Sequence, residues 1–128
     1  MRLLPITIAA VIALSSYTLP AHAEYPLASS ICQYVQTNDK NRLRKKLKET
    51  RIKIRNIYAD ISCNGYSLLR FAFKSGSDEI GTYIAKRLPV SKLNAAEADG
   101  NDISAWVEAN GHSDSAINVA IQARISGG

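Results

Sequence analysis

The chain has 128 residues, of which 46% are hydrophobic and 21% are charged. Its 16 Lys and Arg residues outnumber its 11 Asp and Glu residues, which gives a formal net charge of +5 at pH 7. A chain of this length forms one small domain or a few repeats, and it excludes an enzyme with separate cofactor and substrate domains. The composition also excludes a disordered chain and a multi-span membrane protein.

The N-terminal segment has the pattern of a secretory signal peptide, which we expect to span residues 1–23. A basic start is followed by an apolar run over 3–14, and Ala21-His22-Ala23 fits the small-x-small cleavage pattern. The run is shorter than the ~20 residues that a membrane-spanning helix needs. We therefore expect cleavage after Ala23, a periplasmic or secreted protein, and a single mature domain over 24–128 without a transmembrane helix.

Two cysteines, Cys32 and Cys63, remain in the mature chain. In an oxidising compartment, a cysteine pair in a small domain is more often a disulfide than a metal site or a redox pair. The spacing is not C-x-x-C, so thiol–disulfide catalysis has no motif here. We expect a structural disulfide, and the sequence predicts neither a metal site nor a cofactor.

Internal similarity at a period of about 35 residues predicts helix pairs that repeat along the chain. Leu68 and Gly76 recur as Ile103 and Gly111, and each glycine is a typical residue for ending a helix. The copy nearest the N-terminus matches least well. The pattern predicts an all-α fold with repeat-like units at about 28–50, 64–88 and 99–125.

The central copy resembles an ankyrin repeat over 64–88. The residues that fall where this family has its turn and helix signals are Gly65, Leu69, Ala72, Gly76 and Glu79-Ile80. The Thr-Pro-Leu-His turn of ankyrin repeats is replaced by Ser-Leu-Leu-Arg over 67–70. The resemblance implies a short ankyrin-like array of about three helix pairs, with extended loops between them.

A longer stretch is similar to a family of small exported bacterial proteins of unknown function, DUF3718. The segments that carry this resemblance are Cys32 to Val35, Asn38 to Lys48, Cys63 to Gly65 and Leu68 to Ala72. The resemblance implies export. It implies no activity, cofactor or catalytic residue.

Positive charge is concentrated between residues 40 and 55, where nine basic residues accompany one acid, Glu49. These nine residues are Lys40, Arg42, Arg44, Lys45, Lys46, Lys48, Arg51, Lys53 and Arg55. Asn38 or Asp39 can cap a helix here, whose apolar stripe is Leu43 and Leu47. Residues 51–55 then alternate with period two, which predicts an extended segment with its cations on one side.

This basic face is either a solvated surface or an anion-binding site. Export and the lack of interleaved aromatic residues argue against nucleic acid and favour an acidic envelope protein or an anionic envelope surface. The leading hypothesis is a non-enzymatic binding module. The alternatives are a binder of anionic lipid or lipopolysaccharide, and an inhibitor or immunity protein of an envelope enzyme.

No pattern in the sequence identifies a reaction, and we expect a protein that is not an enzyme. His112 lies beside Ser113 and Asp114. A Ser–His–Asp relay is assembled from distant segments, so these residues are interpreted as a turn and a helix start. A hydrolase with a pair of carboxylates is the alternative. The acids available for it are Glu79, Glu97 and Glu108.

Overall fold

The computed structural model describes residues 26–127, which form eight α-helices and one 3-10 turn and contain no β-strand. The longer helices are α1 (Pro26–Gln36), α2 (Lys40–Thr50), α4 (Leu68–Ser75), α5 (Asp78–Arg87), α7 (Ile103–Ala109) and α8 (Ala116–Gly127). Two short helices, α3 (Ile54–Ile57) and α6 (Val90–Leu93), and the 3-10 turn Tyr58–Asp60 lie between them. The predicted all-α class is confirmed.

The predicted signal peptide and its cleavage after Ala23 lie outside the described residues. Of the helices within 26–127, none combines the length and the apolar character needed to cross a membrane.

Local sequence signals explain where several helices begin and end. The Asp39 carboxylate accepts a hydrogen bond from the backbone N–H of Arg42 (3.1 Å), as expected of the cap of α2. Ser67 Oγ accepts one from the N–H of Arg70 (3.3 Å) and so caps α4. The same helix ends at Gly76, whose φ of 67° lies in the left-handed region that favours glycine.

The prediction of an extended segment over 51–55 is wrong at both ends. The chain turns sharply at Arg51, which has φ 57° and ψ 37°. Helix α3 then begins at Ile54, and Lys53 before it is extended, with φ −98° and ψ 135°. The alternation arises because Ile52 and Ile54 both pack towards the core, from a loop and from a helix respectively.

The last helix also begins later than the Ser113-Asp114 pair predicts. Helix α8 starts at Ala116. The hydroxyl of Ser115 accepts a hydrogen bond from the N–H of Ile117 (3.1 Å), so Ser115 is the residue that caps the helix.

Helix α5 lies at the centre of the packing, in contact with α2, α3, α4 and α8. Gly81 allows α5 and α8 to approach closely, because a Cβ atom at this position would lie 2.5 Å from Cδ1 of Ile117. The buried apolar side chains of all eight helices and the connecting loops form one continuous core.

The predicted disulfide between Cys32 and Cys63 is confirmed. It joins α1 to the loop that precedes α4 across a separation of 31 residues. A bridge of this separation contributes about 3–4 kcal/mol, mainly by restricting the unfolded chain.

Candidate functional site

The orientation of helix α2 determines which of its basic residues lie on the same side. Leu43 and Leu47 are buried and fix the orientation of the helix. Because residues four apart lie above one another, Lys40, Arg44 and Lys48 form one stripe beside this apolar seam. This stripe is on the side that faces α5.

The turn after α2 brings the later cations to the same side. Arg51 ends the helix, and its backbone N–H donates to the carbonyl of Lys48 (3.3 Å). Within 26–127, every other residue with positive φ is glycine or asparagine. A larger L-residue in the left-handed region costs about 1 kcal/mol, so the position of Arg51 is strained.

Helix α5 supplies the opposite wall. The guanidinium of Arg87 lies 4.6 Å from the centre of the Tyr83 ring, one helical turn away. The side-chain oxygen of Asn38 accepts a hydrogen bond from the N–H of Ile80 (3.0 Å), which ties the start of α5 to the turn before α2. The two walls are therefore held together by a hydrogen bond as well as by the core.

Between these walls lies a groove of about 620 Å³, which we call the basic groove. Its charged residues are Arg44, Lys48, Arg51, Lys53, Arg55 and Arg87. Its less polar part consists of Leu47, Ile52, Ile54 and Tyr83. The side chains that line it include no carboxylate.

An adjoining groove of about 550 Å³ shares Arg44, Tyr83 and Arg87 with the basic groove. It adds Lys40 and Lys86, and it also contains Asp78 and Glu79 at the start of α5. Two carboxylates therefore offset part of the positive charge in the adjoining groove, whereas none lines the basic groove.

The structure thus divides the nine predicted basic residues. Five of them line the basic groove and Lys40 lines the adjoining one. Arg42, Lys45 and Lys46 are not among the lining residues of either, and Arg42 pairs with Asp39 at 3.4 Å. Tyr83 and Arg87 were missed from the sequence, although their spacing of four on a helix indicates a shared side.

Among the described residues, the six cations of the basic groove form no ion pair. Like charges that line a concave surface between low-dielectric walls reinforce one another's potential. The groove therefore attracts anions more strongly than the same charges would on a flat face.

A second charged cluster, the Arg70 cluster, consists of Arg70, Glu97, Asp99 and Tyr58. Arg70 is 7% exposed. Its two terminal nitrogens donate to the Asp99 carboxylate (2.8 and 2.9 Å), and its Nε lies 2.7 Å from Oε1 of Glu97. The guanidinium also lies 5.3 Å from the centre of the Trp106 ring. Two carboxylates therefore pair with this buried cation, and the contact of Nε with Glu97 is an ion pair without hydrogen-bond geometry.

Two pKa values follow from this cluster. The Tyr58 hydroxyl donates to Oε2 of Glu97 (3.0 Å). Burial raises the pKa of Tyr58 well above its ordinary range, and the Glu97 charge raises it further. Hydrogen bonding from Arg70 holds the pKa of Asp99 far below its ordinary range. A cavity of about 470 Å³, with many Ala, Ser and Gly residues in its walls, lies beside the cluster.

His112 has a packing role in the structure. Its ring lies 5.2 Å from the Phe73 ring and 5.4 Å from the Trp106 ring, stacked on both at 27°. Ser113 and Asp114 are exposed in the turn that follows. The interpretation of these residues as a turn agrees with this arrangement.

The three carboxylates weighed for hydrolysis lie apart. Glu79 lines the adjoining groove, Glu97 lines the cavity beside Arg70, and Glu108 lines a third depression near α7. Across residues 26–127, no three His, Cys, Asp or Glu side chains are grouped so that they could hold a metal ion.

The family described as protein of unknown function (DUF3718) matches residues 31–95. The predicted resemblance to this family is confirmed. No curated protein and no solved structure matches the chain. The matched segment contains the disulfide and every residue that lines the basic groove, whereas Glu97 and Asp99 of the Arg70 cluster lie beyond its end.

Proposed function

The chain belongs to the DUF3718 family, whose function is unknown, and on this premise we propose that it is an exported, non-enzymatic module that binds an anionic partner in its basic groove. The observation that carries this proposal is the set of six cations in one concavity without a lining carboxylate. Mutual repulsion among these charges is unfavourable in the free protein, and a bound anion would relieve it.

The contrast within the molecule supports this proposal. The same chain surrounds Arg70 with two carboxylates and a backbone carbonyl. In the basic groove, by comparison, α2 contributes Arg44 and α5 contributes Arg87, and no acid is among the lining residues. Unpaired cations on facing walls are typical of a site whose counter-charge arrives with a ligand.

Export is proposed from the sequence of residues 1–23 and is supported by the Cys32–Cys63 disulfide. The partner would then be an acidic protein or an anionic molecule of the cell envelope. Protein isolated from cells should begin at Glu24, and its mass should be two hydrogens below that of the reduced chain. A retained N-terminal segment or two free thiols in the native protein would contradict export.

We further propose that α1–α2, α4–α5 and α7–α8 are the units of a short ankyrin-like array. Asp102 caps α7 by accepting from the N–H of Ala105 (2.9 Å), as Ser67 caps α4. Gly76 and Gly111, 35 residues apart, both have positive φ after the first helix of their pair. In this arrangement the basic groove lies at the junction of the first and second units.

The function is tested by direct binding to three anionic probes: heparin, poly-glutamate, and vesicles that contain phosphatidylglycerol. Fluorescence anisotropy or co-sedimentation gives the affinity at low and at physiological salt. We expect binding to at least one probe, with an affinity that falls as salt rises. If none of these three probes binds, and no small anion such as tripolyphosphate binds either, the proposed function is wrong.

A matched pair of variants then locates the binding site. Arg44→Glu and Lys45→Glu change the net charge equally and lie next to each other on α2, but only Arg44 lines the groove. We expect Arg44→Glu to weaken binding about tenfold, equivalent to about 1.4 kcal/mol. Lys45→Glu should weaken it less than about threefold, by its long-range field alone. Equal losses would show that net charge, and not the groove, determines binding.

A further inference from the structure

We infer, as a deepening of the proposed function on which it rests, that the basic groove is a site for a ligand with two or more linked phosphate groups. We further infer that Arg51 is held in its left-handed conformation in order to contact that ligand. The inference combines the shape of the groove, the identity of its cations and the backbone of the turn after α2.

The shape indicates a compact ligand. A groove of about 620 Å³ has the size of a small-molecule site, typically about 300–1,000 Å³. Its cations come from α2, from the turn after it, from α3 and from α5, so they surround the space on several sides. In the described part of the chain, the one exposed large hydrophobic side chain is Val119 on α8, which does not line the groove. The groove therefore has no exposed apolar anchor for a lipid bilayer beside it.

The identity of the cations indicates phosphate. Four of the six are arginine, namely Arg44, Arg51, Arg55 and Arg87. The planar guanidinium donates two parallel hydrogen bonds to a phosphate group, which a lysine ammonium cannot do. One phosphate cannot satisfy six cations, whereas two or three linked phosphates bring several negative charges into one small volume. The side chains of Leu47 and Ile52 can support a less polar body attached to them.

The backbone at Arg51 is the independent observation. The chain uses glycine at the corresponding helix end before α5, where Gly76 has φ 67°. At the end of α2 it uses arginine at φ 57°, although the Arg51 side chain is exposed and contributes nothing to the core. Strain without a packing benefit marks residues kept for function. Here the left-handed turn aims an arginine into the groove.

Substitution of Arg51 separates a structural role from a binding role. Arg51→Gly relieves the strain and removes the guanidinium. We expect the Tm to rise by about 2–5 °C, while the affinity for tripolyphosphate in isothermal titration calorimetry falls tenfold or more. Arg51→Asn, which also tolerates the left-handed region, should lose affinity to the same extent. Lys45→Gln removes one charge outside the groove and should change affinity less than about threefold.

The choice of probe identifies the class and source of the ligand. Tripolyphosphate should bind more tightly than sulfate at equal ionic strength. Vesicles with cardiolipin, which carries two phosphates, are compared with phosphatidylglycerol vesicles of equal charge. Cardiolipin binding would indicate a membrane source, and binding of tripolyphosphate alone would indicate a soluble one.

Each failure has a distinct meaning. If heparin or poly-glutamate binds but tripolyphosphate and cardiolipin do not, the phosphate assignment is wrong and the proposed function stands. If no anion binds, both are wrong. If Arg51→Gly keeps full affinity for tripolyphosphate, Arg51 has no part in binding. If its Tm does not rise, the backbone at Arg51 is not strained.

Discussion

Arginine is used in opposite ways in two regions of this molecule. In the Arg70 cluster, one buried guanidinium is enclosed by Glu97, Asp99 and a backbone carbonyl. In the basic groove, six cations line a concavity and form no ion pair within the described residues. The first arrangement ties the loop before α7 to α4 and so serves the fold. The second adds repulsion to the free protein, which is why we assign it to binding.

The largest expected effect is the difference in free energy of unfolding between an arginine-to-alanine variant in the Arg70 cluster and one in the basic groove. Arg70→Ala leaves Glu97, whose side chain is 14% exposed, without its counter-ion and should lower the free energy of unfolding by about 3 kcal/mol. Arg44→Ala removes an exposed, unpaired charge and should change it by less than about 0.5 kcal/mol. Urea unfolding at pH 7 measures both. If Arg70→Ala does not fold, Arg70→Lys keeps the charge without the two-pronged contact to Asp99 and should show a smaller loss. Equal effects at the two positions would refute the contrast.

The disulfide should support the Arg70 region more than the groove. Cys63 lies next to Ser62, which lines the cavity beside the Arg70 cluster. The double change Cys32→Ser and Cys63→Ser should lower the free energy of unfolding by about 3–4 kcal/mol. Well below the new Tm, the affinity for anions should stay within about twofold, since neither cysteine lines the groove. A tenfold loss of affinity in the folded variant would show that the two regions are coupled.

The Tyr58 hydroxyl should make the free energy of unfolding depend on pH through the Arg70 cluster and not through the basic groove. Its folded-state pKa is raised, so its contribution is fully present below the ordinary tyrosine pKa of about 10 and is lost as pH rises towards the folded value. Tyr58→Phe should lower the free energy of unfolding at pH 7 by about 1 kcal/mol and make the alkaline loss shallower. Tyr34→Phe removes a tyrosine hydroxyl outside the Arg70 cluster and serves as the matched control. Chemical unfolding between pH 7 and 11 tests this, and parallel curves for all three proteins would contradict it.

The smallest expected effect concerns salt. Screening weakens the repulsion among the exposed cations of the groove but hardly changes the buried contacts of Arg70. Raising the concentration of sodium chloride should therefore stabilise the protein by a few tenths of a kcal/mol, or about 1–2 °C in Tm. The double variant Arg44→Gln and Lys48→Gln should show a smaller rise. An unchanged salt response in this variant would mean that repulsion in the groove is negligible.

Features set by neighbouring residues could be predicted from the sequence. The start of α2 at Asp39 and the end of α4 at Gly76 each depend on one residue and its immediate backbone. The Arg70 cluster could not be predicted in this way. Glu97 and Asp99 follow Arg70 by 27 and 29 residues, and only the packing of the intervening helices brings them back.

One wall of the basic groove could be predicted from the sequence because its residues are neighbours in the chain, and the other wall could not. The charge of 40–55 was evident, and the Leu43 and Leu47 seam determines which cations share a side of α2. The second wall required the position of α5, because nothing within 40–55 indicates that Arg87 lines the same groove as Arg44. The turn at Arg51 also escaped prediction, since glycine or asparagine normally signals such a turn.

Helix α5 separates the basic groove from α8. Tyr83 and Arg87 face the groove, while Gly81 lies against Ile117 of α8. Of the helices that contact α5, α8 packs against it most extensively. Detachment of α8 would remove this support, so we expect the amides of the two helices to exchange in one common opening event. A ligand held by Arg87 would then slow amide exchange along α8, a helix that contributes no residue to the basic groove.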